Sequence, residues 1–196
     1  PSVGDWYLDE NNGYYYEYGK GVVTASDGHV YDYGTEWSVR AEFNGINGPI
    51  DQSKWFGEIR LEIAGKPVTN MCNAFNAEYQ NKDYLIDQLG CNPFDSLTKA
   101  PAIPSAVTNM SYAFFGCTAL TKAPTIPNGV KNMSYAFAGC SALAVAPTIP
   151  GSVTDMSYTF SGCTALETVK AIPSSVTNMD KTFVGCTALT GEIQFN

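Results

Sequence analysis

One histidine, His29, six cysteines and 19 acidic side chains are the groups in this 196-residue chain from which reaction chemistry would have to be built. His29 sits inside an S-D-G-H-V turn, and a Ser-His-Asp or Cys-His site would have to use it, yet no nucleophile motif lies beside it. A zinc site needs closely paired ligands, and cysteines recurring 23 residues apart with a single histidine do not provide them. The D-E-N-N-G stretch at Asp9 reads as a hairpin turn rather than a calcium loop. G-K-G-V-V-T at Gly19 lacks the third glycine of a dinucleotide fingerprint. Asp9 with Glu10, or Glu36 with Glu42, could serve glycoside hydrolysis, but acids are so abundant in this half that such pairs arise by chance. The expectation is a protein that is not an enzyme, with no metal and no cofactor.

The cysteine spacing has another source. Cys117, Cys140, Cys163 and Cys186 fall at one point of a unit that begins at Leu97 as LTKAPAIPSAVTNMSYAFFGCTA and restarts at Leu120, Leu143 and Leu166, with a fifth start at Leu189. A period of 23 residues held without insertion describes a stacked solenoid, each turn burying its apolar side against its neighbours. In the first copy the inward stations are Leu97, Ala100, Ile103, Val107, Met110, Phe114 and Cys117. Equivalent cysteines pointing into a dry core behave as small buried hydrophobes carrying free thiols. Cys72 and Cys91 lie outside this register, and a bridge between them stays open.

Steps of three and four around Met110, Phe114 and Cys117 are helical periodicity, so S-Y-A-F-F-G is expected to form a short helical turn. Asn109, Asn132, Asp155 and Asn178 stand just before it as caps. Gly116, Gly139, Gly162 and Gly185 close it in a left-handed conformation. Pro104, Pro127, Pro150 and Pro173 mark the corner after a short strand, because a ring without an N–H cannot continue a ladder.

The copy LTKAPTIPNGVKNMSYAFAGC resembles the BspA-like class of bacterial leucine-rich repeats in its leucine strand start, I-P corner, V-x-N-M step and A-F-x-G-C close. The resemblance covers about residues 61–196 and is most specific over 97–189. It implies a curved solenoid on secreted or cell-surface bacterial proteins, with adhesion or host binding in some members, and it brings no catalytic residues. The expected fold is mostly β with short helical turns: a leucine-rich-repeat solenoid of 23-residue coils preceded by a small antiparallel β unit.

Residues 1–60 form that unit and hold all three tryptophans, Trp6, Trp37 and Trp55, with seven of the 12 tyrosines. Strand-like runs separated by N-N-G, S-D-G and G-T turn signals describe an antiparallel meander. Period two puts Tyr14, Tyr16 and Tyr18 on one face, either the sheet's core or an exposed aromatic platform able to lie against a sugar ring. Residues 61–96 are a degenerate first coil, in which Val68 to Phe75 repeat the V-T-N-M motif, followed by a capping insertion with a helical pattern at Tyr84, Leu85 and Leu89 and a stop at Gly90. Residues 97–196 are the four full repeats plus L-T-G-E-I-Q-F-N, a capping strand or a free edge that meets another chain.

Residues 1–96 carry 6 Lys/Arg against 15 Asp/Glu, a balance of -9, whereas residues 97–196 carry 5 against 4, or +1. Nucleic acid needs a basic face, so it is excluded as a partner. No window approaches the ~18 uninterrupted apolar residues of a membrane span. The start lacks the basic-then-apolar order of a signal peptide, so the chain reads as a mature or truncated piece. Outward positions of the array carry Tyr112, Tyr135 and Tyr158 on the turn side, a ladder broken at Lys181. On the strand side they carry Lys99, Lys122, Thr125, Thr148, Thr168 and Lys170. The expected function is extracellular recognition or adhesion, binding a protein or glycan through Trp6, Tyr14, Tyr16, Tyr18, Trp37, Trp55, Tyr112, Tyr135, Tyr158, Lys122, Thr125 and Thr148. The protein is then secreted or at the bacterial cell surface. The alternative is a structural module of a surface protein, fibre or phage particle, with end-to-end self-association.

Overall fold

The computed structural model describes residues 1–41, 57–77 and 93–196. Trp55, Cys91, Glu42, the Tyr84, Leu85 and Leu89 pattern and its stop at Gly90 lie outside the described residues.

The coils close without a helix. In an α-helix each N–H turns back four residues along its own chain; here alternate N–H groups point along the array instead. Those of Met110, Tyr112, Phe114 and Gly116 donate to the carbonyls of Asn132, Ser134, Ala136 and Ala138 on the next coil at 2.8–2.9 Å. Between them, Ala113, Phe115 and Cys117 donate back to Met110, Tyr112 and Phe114, closing tight turns. The same scheme joins the degenerate coil to the first repeat, through Met71, Asn73, Phe75 and Ala77, and recurs up to the fourth. The helical spacing of Met110, Phe114 and Cys117 is therefore made by consecutive turns, with left-handed residues at Tyr112 (φ 57°) and Gly116 (φ 75°), and the expected helical turn is corrected on this point. Asn109 does supply its capping bond, because its Oδ1 accepts the Ser111 N–H at 2.8 Å, and Asn70, Asn132, Asp155 and Asn178 do the same two residues ahead of themselves. The bond closes an Asx turn rather than starting a helix.

Repetition in register puts like on like. Phe75, Phe114, Phe137, Phe160 and Phe183 form a stacked file with ring centroids 5.2–5.9 Å apart and planes within 7°. The repeat cysteines are free, as the packing reading requires, and they also make a bond: the thiols of Cys117, Cys140, Cys163 and Cys186 donate to the carbonyls of Phe75, Phe114, Phe137 and Phe160 at 3.1–3.2 Å. Cys72 is also a buried free thiol, accepting from Ser111 Oγ at 3.3 Å. Gly139, Gly162 and Gly185 stack over one another's backbones; a Cβ on Gly139 would come within 3.4 Å of Gly116 Cα, on top of its φ of 75°. At the corners, Val107, Val130, Val153 and Val176 each donate to the proline carbonyl three residues back.

In the front half, β1 (Trp6–Asp9), β2 (Tyr14–Tyr18) and β5 (Trp37–Ala41) are antiparallel, while β3 (Val22–Thr24) and β4 (Val30–Asp32) form a separate hairpin. β5 then pairs in parallel with β7 (Lys66–Asn70), itself antiparallel to β6 (Glu62–Ile63), giving the order β1-β2-β5-β7-β6. The meander is thus interrupted by the hairpin and runs directly into the degenerate coil. The tyrosine face is core. Tyr14 and Tyr16 are fully buried, Tyr14 packs edge-on to Phe75 at 6.0 Å, and its hydroxyl donates to Gly57 O at 2.8 Å. A short unit with few aliphatics builds its interior from aromatics whose polar tips are satisfied. Sheet and array consequently share one hydrophobic core, running from Tyr14 to Ile172.

Two outcomes follow. Phe137→Ala removes a ring from the middle of the stacked file and is expected to cost about 3–5 kcal/mol in urea unfolding. Burial pushes the Cys72 thiol up to about 11, the Cys163 thiol to about 12 and the Tyr16 phenol to about 12. In each case the folded state holds its proton longer than the unfolded chain. The contribution to stability is complete below the unfolded values and is lost as pH rises through the folded ones, by up to ~1.4 kcal/mol per pH unit per group. Denaturant midpoints measured between pH 8 and 12 should be flat at first and then fall above the ordinary thiol range near ~9. Rising stability over that interval would contradict the burial.

Candidate functional site

Three outward surfaces carry the residues singled out from the sequence. The first arises from proline. Lys99 pairs with Lys122 in a one-residue parallel bridge, and Thr121 donates to Thr98 O at 3.1 Å. The next residues, Ala100 and Pro101 in one coil and Ala123 and Pro124 in the next, cannot extend it, because proline has no N–H to give. The coil edges open there into a groove of about 530 Å³, lined by Lys99, Pro101, Ile103, Lys122, Pro124 and Thr125 among others. A second hollow of about 280 Å³ continues it one coil further, between Thr125 and Pro124 on one side and Pro147, Thr148 and Pro150 on the other. Coil four has Lys170 at the equivalent of Pro147, and its Nζ donates to Thr148 Oγ1 at 3.1 Å, closing the far end. Lys122, Thr125 and Thr148 are thus brought together along one groove with lysines at both ends. Among the described residues no carboxylate lines either hollow.

The second surface is the tyrosine ladder. Tyr112, Tyr135 and Tyr158 stack face to face with centroids 4.5 Å apart and planes 5–7° from parallel. All three hold left-handed backbone, φ 56–57°, a conformation costing ~1–2 kcal/mol per residue, which the stacking offsets in part. Because each face is spent on the next ring, the ladder presents edges and hydroxyls, not platforms for a sugar. Its ends are capped. At the front, where the degenerate coil has Asn73 instead of tyrosine, the β3–β4 hairpin supplies the rings: Tyr31 meets Tyr112 edge-on at 5.8 Å and His29 Nε2 lies 2.7 Å from its hydroxyl. The hairpin is held by Asp32 O, which accepts the side-chain amides of Asn70 and Asn109 at 2.9 Å each. At the back, Lys181 Nζ sits 5.4 Å over the Tyr158 ring. Burial, reinforced by Tyr135, raises the Tyr112 phenol well above its ordinary value; Tyr135 is raised by burial and then by Tyr158. His29, read from sequence as an ordinary turn residue, is therefore a ladder contact. The H-V-Y-D-Y alternation that aims it and Tyr31 at Tyr112 was visible, but its docking site was not.

The third surface is the front sheet. Tyr14, Tyr16 and Trp37 are buried in its core and present no ring to solvent; Trp37 Nε1 donates to Ile63 O at 2.9 Å. Tyr18 is half-buried against Trp37, centroids 5.2 Å apart. Trp6 alone of the described tryptophans is exposed. Sequence reasoning missed its neighbours Tyr15 and Arg40, on the opposite strand face from the three tyrosines. The same period-two alternation puts Tyr15 with Glu17 on the face opposite Tyr14, Tyr16 and Tyr18, but it names no partner on the neighbouring strands.

Among the described residues no group of three or more His, Cys, Asp or Glu gathers to hold a metal, and no helix is long and apolar enough to cross a membrane. No curated protein sequence matches the chain. Among solved structures it is similar to a leucine-rich-repeat protein of T. pallidum, with TM-score 0.56 and 23% identity, over 86% of this chain and 65% of that one. It is also similar to a leucine-rich cell surface protein of Faecalibacterium prausnitzii A2-165, with TM-score 0.50 and 23% identity, over 90% of this chain and 40% of that one. The chain thus spans 65% and 40% of those proteins, and the likeness is one of fold. Residues 90–196 match the BspA type leucine rich repeat region in 6 copies, more than half the chain, and the protein belongs to that family.

Proposed function

We propose that this chain is a non-enzymatic recognition module of a bacterial cell-surface or secreted protein, and that its ligand, a protein or a glycan, lies along the proline-walled groove of coils one to three. The observation that carries this reading is the continuity of the two hollows, about 530 and 280 Å³, across three coils with Lys99, Lys122 and Lys170 along them. An extended ligand suits a groove open at the surface, and acidic groups on it would meet the lysines without competing carboxylates among the described lining residues. Membership of a surface-repeat family and likeness to a cell-surface protein support the location.

The test is binding of the full chain to panels of extracellular proteins and of glycans, repeated with the charge-reversed double variant Lys99→Glu plus Lys122→Glu. A specific ligand should lose about tenfold or more in affinity to the variant, with a steep dependence on salt. Both lysines are exposed, so the variant should unfold at the wild-type denaturant concentration. Absence of any ligand in both panels, or equal binding by the variant, sinks the proposal.

A further inference from the structure

The far end of the array leaves its main-chain ladder unfinished. Coil three spends the N–H groups of Met156, Tyr158, Phe160 and Gly162 on the carbonyls of Asn178, Asp180, Thr182 and Val184 at 2.8–3.0 Å. The equivalents in coil four, the N–H groups of Met179, Lys181, Phe183 and Gly185, have no acceptor among the described residues. The alternate ones, at Thr182, Val184 and Cys186, still close the turn as in the other coils. The side chains follow the main chain: Val153, Met156, Phe160 and Cys163 are fully buried, whereas Val176, Met179, Phe183 and Cys186 are only half-buried. The Phe183 ring stacks on Phe160 at 5.9 Å and is the last of its file among the described residues.

The segment that follows covers the strand side alone. Leu189 and Thr190 repeat the start of the motif, but G-E-I-Q-F-N then departs from it, with Asn196 where the other copies have the corner proline. This tail bridges Phe195 to Ile172 in parallel, the Ile172 N–H donating to Gln194 O at 2.8 Å and the Asn196 N–H to Ile172 O at 3.0 Å. No main-chain bond joins it to residues 179–185. Nor is that edge blunted, as exposed edges commonly are by proline or an outward charge. No proline lies between Met179 and Gly185, and Lys181 turns its Nζ back over the Tyr158 ring of coil three, 5.4 Å away. What fits such a face is specified by the interfaces between the degenerate coil and coils one to four. Each is completed by a parallel segment offering carbonyls at alternate residues. A second copy does not offer that edge. Its own coil four presents the same donors, and its degenerate coil is covered by the front sheet, where the Ala41 N–H donates to Ala74 O at 2.7 Å.

We propose that the turn side of coil four is an acceptor face for a strand of another polypeptide, one that carries the repeat's own turn motif, V-x-N-M-x-x-x-F-x-G-C, and lies parallel to residues 179–185. Its alternate carbonyls take the four open N–H groups and its phenylalanine extends the stacked file, so the main chain supplies affinity and the apolar stations supply register. The face lies at the end of the array and does not depend on the groove. Its test is hydrogen exchange on the full chain under reducing conditions, alone and with a synthetic peptide of the second copy's sequence, LTKAPTIPNGVKNMSYAFAGCSA. In the free protein the amides of Met179, Lys181, Phe183 and Gly185 should exchange freely, while those of Met156, Tyr158, Phe160 and Gly162 are protected. Saturating peptide should slow the first set by about tenfold or more, and a scrambled peptide should not. Phe183→Ala should weaken peptide binding by about tenfold, as loss of an aromatic anchor does. Lys99→Glu plus Lys122→Glu should leave it unchanged. The exchange pattern of the unmutated chain carries the test on its own if Phe183→Ala loosens the last coil. The proposal falls if the four amides are already protected in the dilute free protein, if the peptide leaves them unprotected, or if the scrambled peptide protects them equally. It also falls if protection rises with protein concentration alone, which makes a second copy the occupant. The groove is read with other ligands and other variants, so either surface can fail without the other.

Discussion

The main-chain ladder between coils is the interaction on which the rest depends. Every second N–H between Met110 and Gly116 is spent on the neighbouring coil, and the alternate ones are spent inside the turn. A buried segment must account for all of its main-chain polar groups, and this division does so with neither a helix nor a continuous strand. It also sets the register of everything attached: once Met110 is bonded to Asn132, each side chain lies over its equivalent one repeat on. The phenylalanine file, the cysteine-to-carbonyl bonds and the tyrosine ladder are consequences of that register rather than separate designs. Each residue type at these stations must tolerate its own copy as neighbour, which explains why flat rings and small groups recur there.

The same ladder explains the strain. Carrying alternate N–H groups along the array requires the chain to turn through left-handed backbone at two points per coil, and at one of them, Gly116 and its equivalents, glycine relieves the cost. At the other the repeat places tyrosine. The stacking geometry, 4.5 Å and nearly parallel, is the compensating interaction, and where stacking is unavailable the residue changes: Asn73, a tolerant left-handed residue, in the degenerate coil, and Lys181 in the last full one.

Much of this was legible in the sequence because the repeat states it many times. The 23-residue period, the inward Leu, Val, Met, Phe and Cys stations, the left-handed glycines and the free thiols all follow from one copy read against the others. The turn was misread because apolar spacing of three and four is shared by a helix and by consecutive turns; only the destination of the N–H groups separates them, and that is a relation between coils. In the front half the aromatic strands were legible, but not which face would be core. Tyr14, Tyr16 and Tyr18 alternate with Tyr15 and Glu17, and the choice is made by Phe75 and the degenerate coil arriving beneath the first set. The hairpin's seat on Tyr112 was out of reach for the same reason, since His29 and Tyr112 are 83 residues apart and neither has a local reason to meet the other.

A structure built from like-on-like stacking has little freedom where the stacking is unbroken, so the proposed recognition is placed where it is interrupted. Pro101, Pro124 and Pro147 remove N–H donors at successive coils, and the array opens at those coils. Among the described residues the front sheet stops at β1, and Trp6 on that edge is exposed. Both interruptions leave rigid walls, because the residues around them are held by the intact ladder or by the shared core, and rigid walls bind without first having to be ordered. The unbroken tyrosine ladder is the counterexample: its rings are as aromatic as Trp6 and more regular, but their faces are consumed by one another. Regularity supplies the scaffold, and the places where an N–H or a neighbouring strand is missing supply the surfaces with unused capacity.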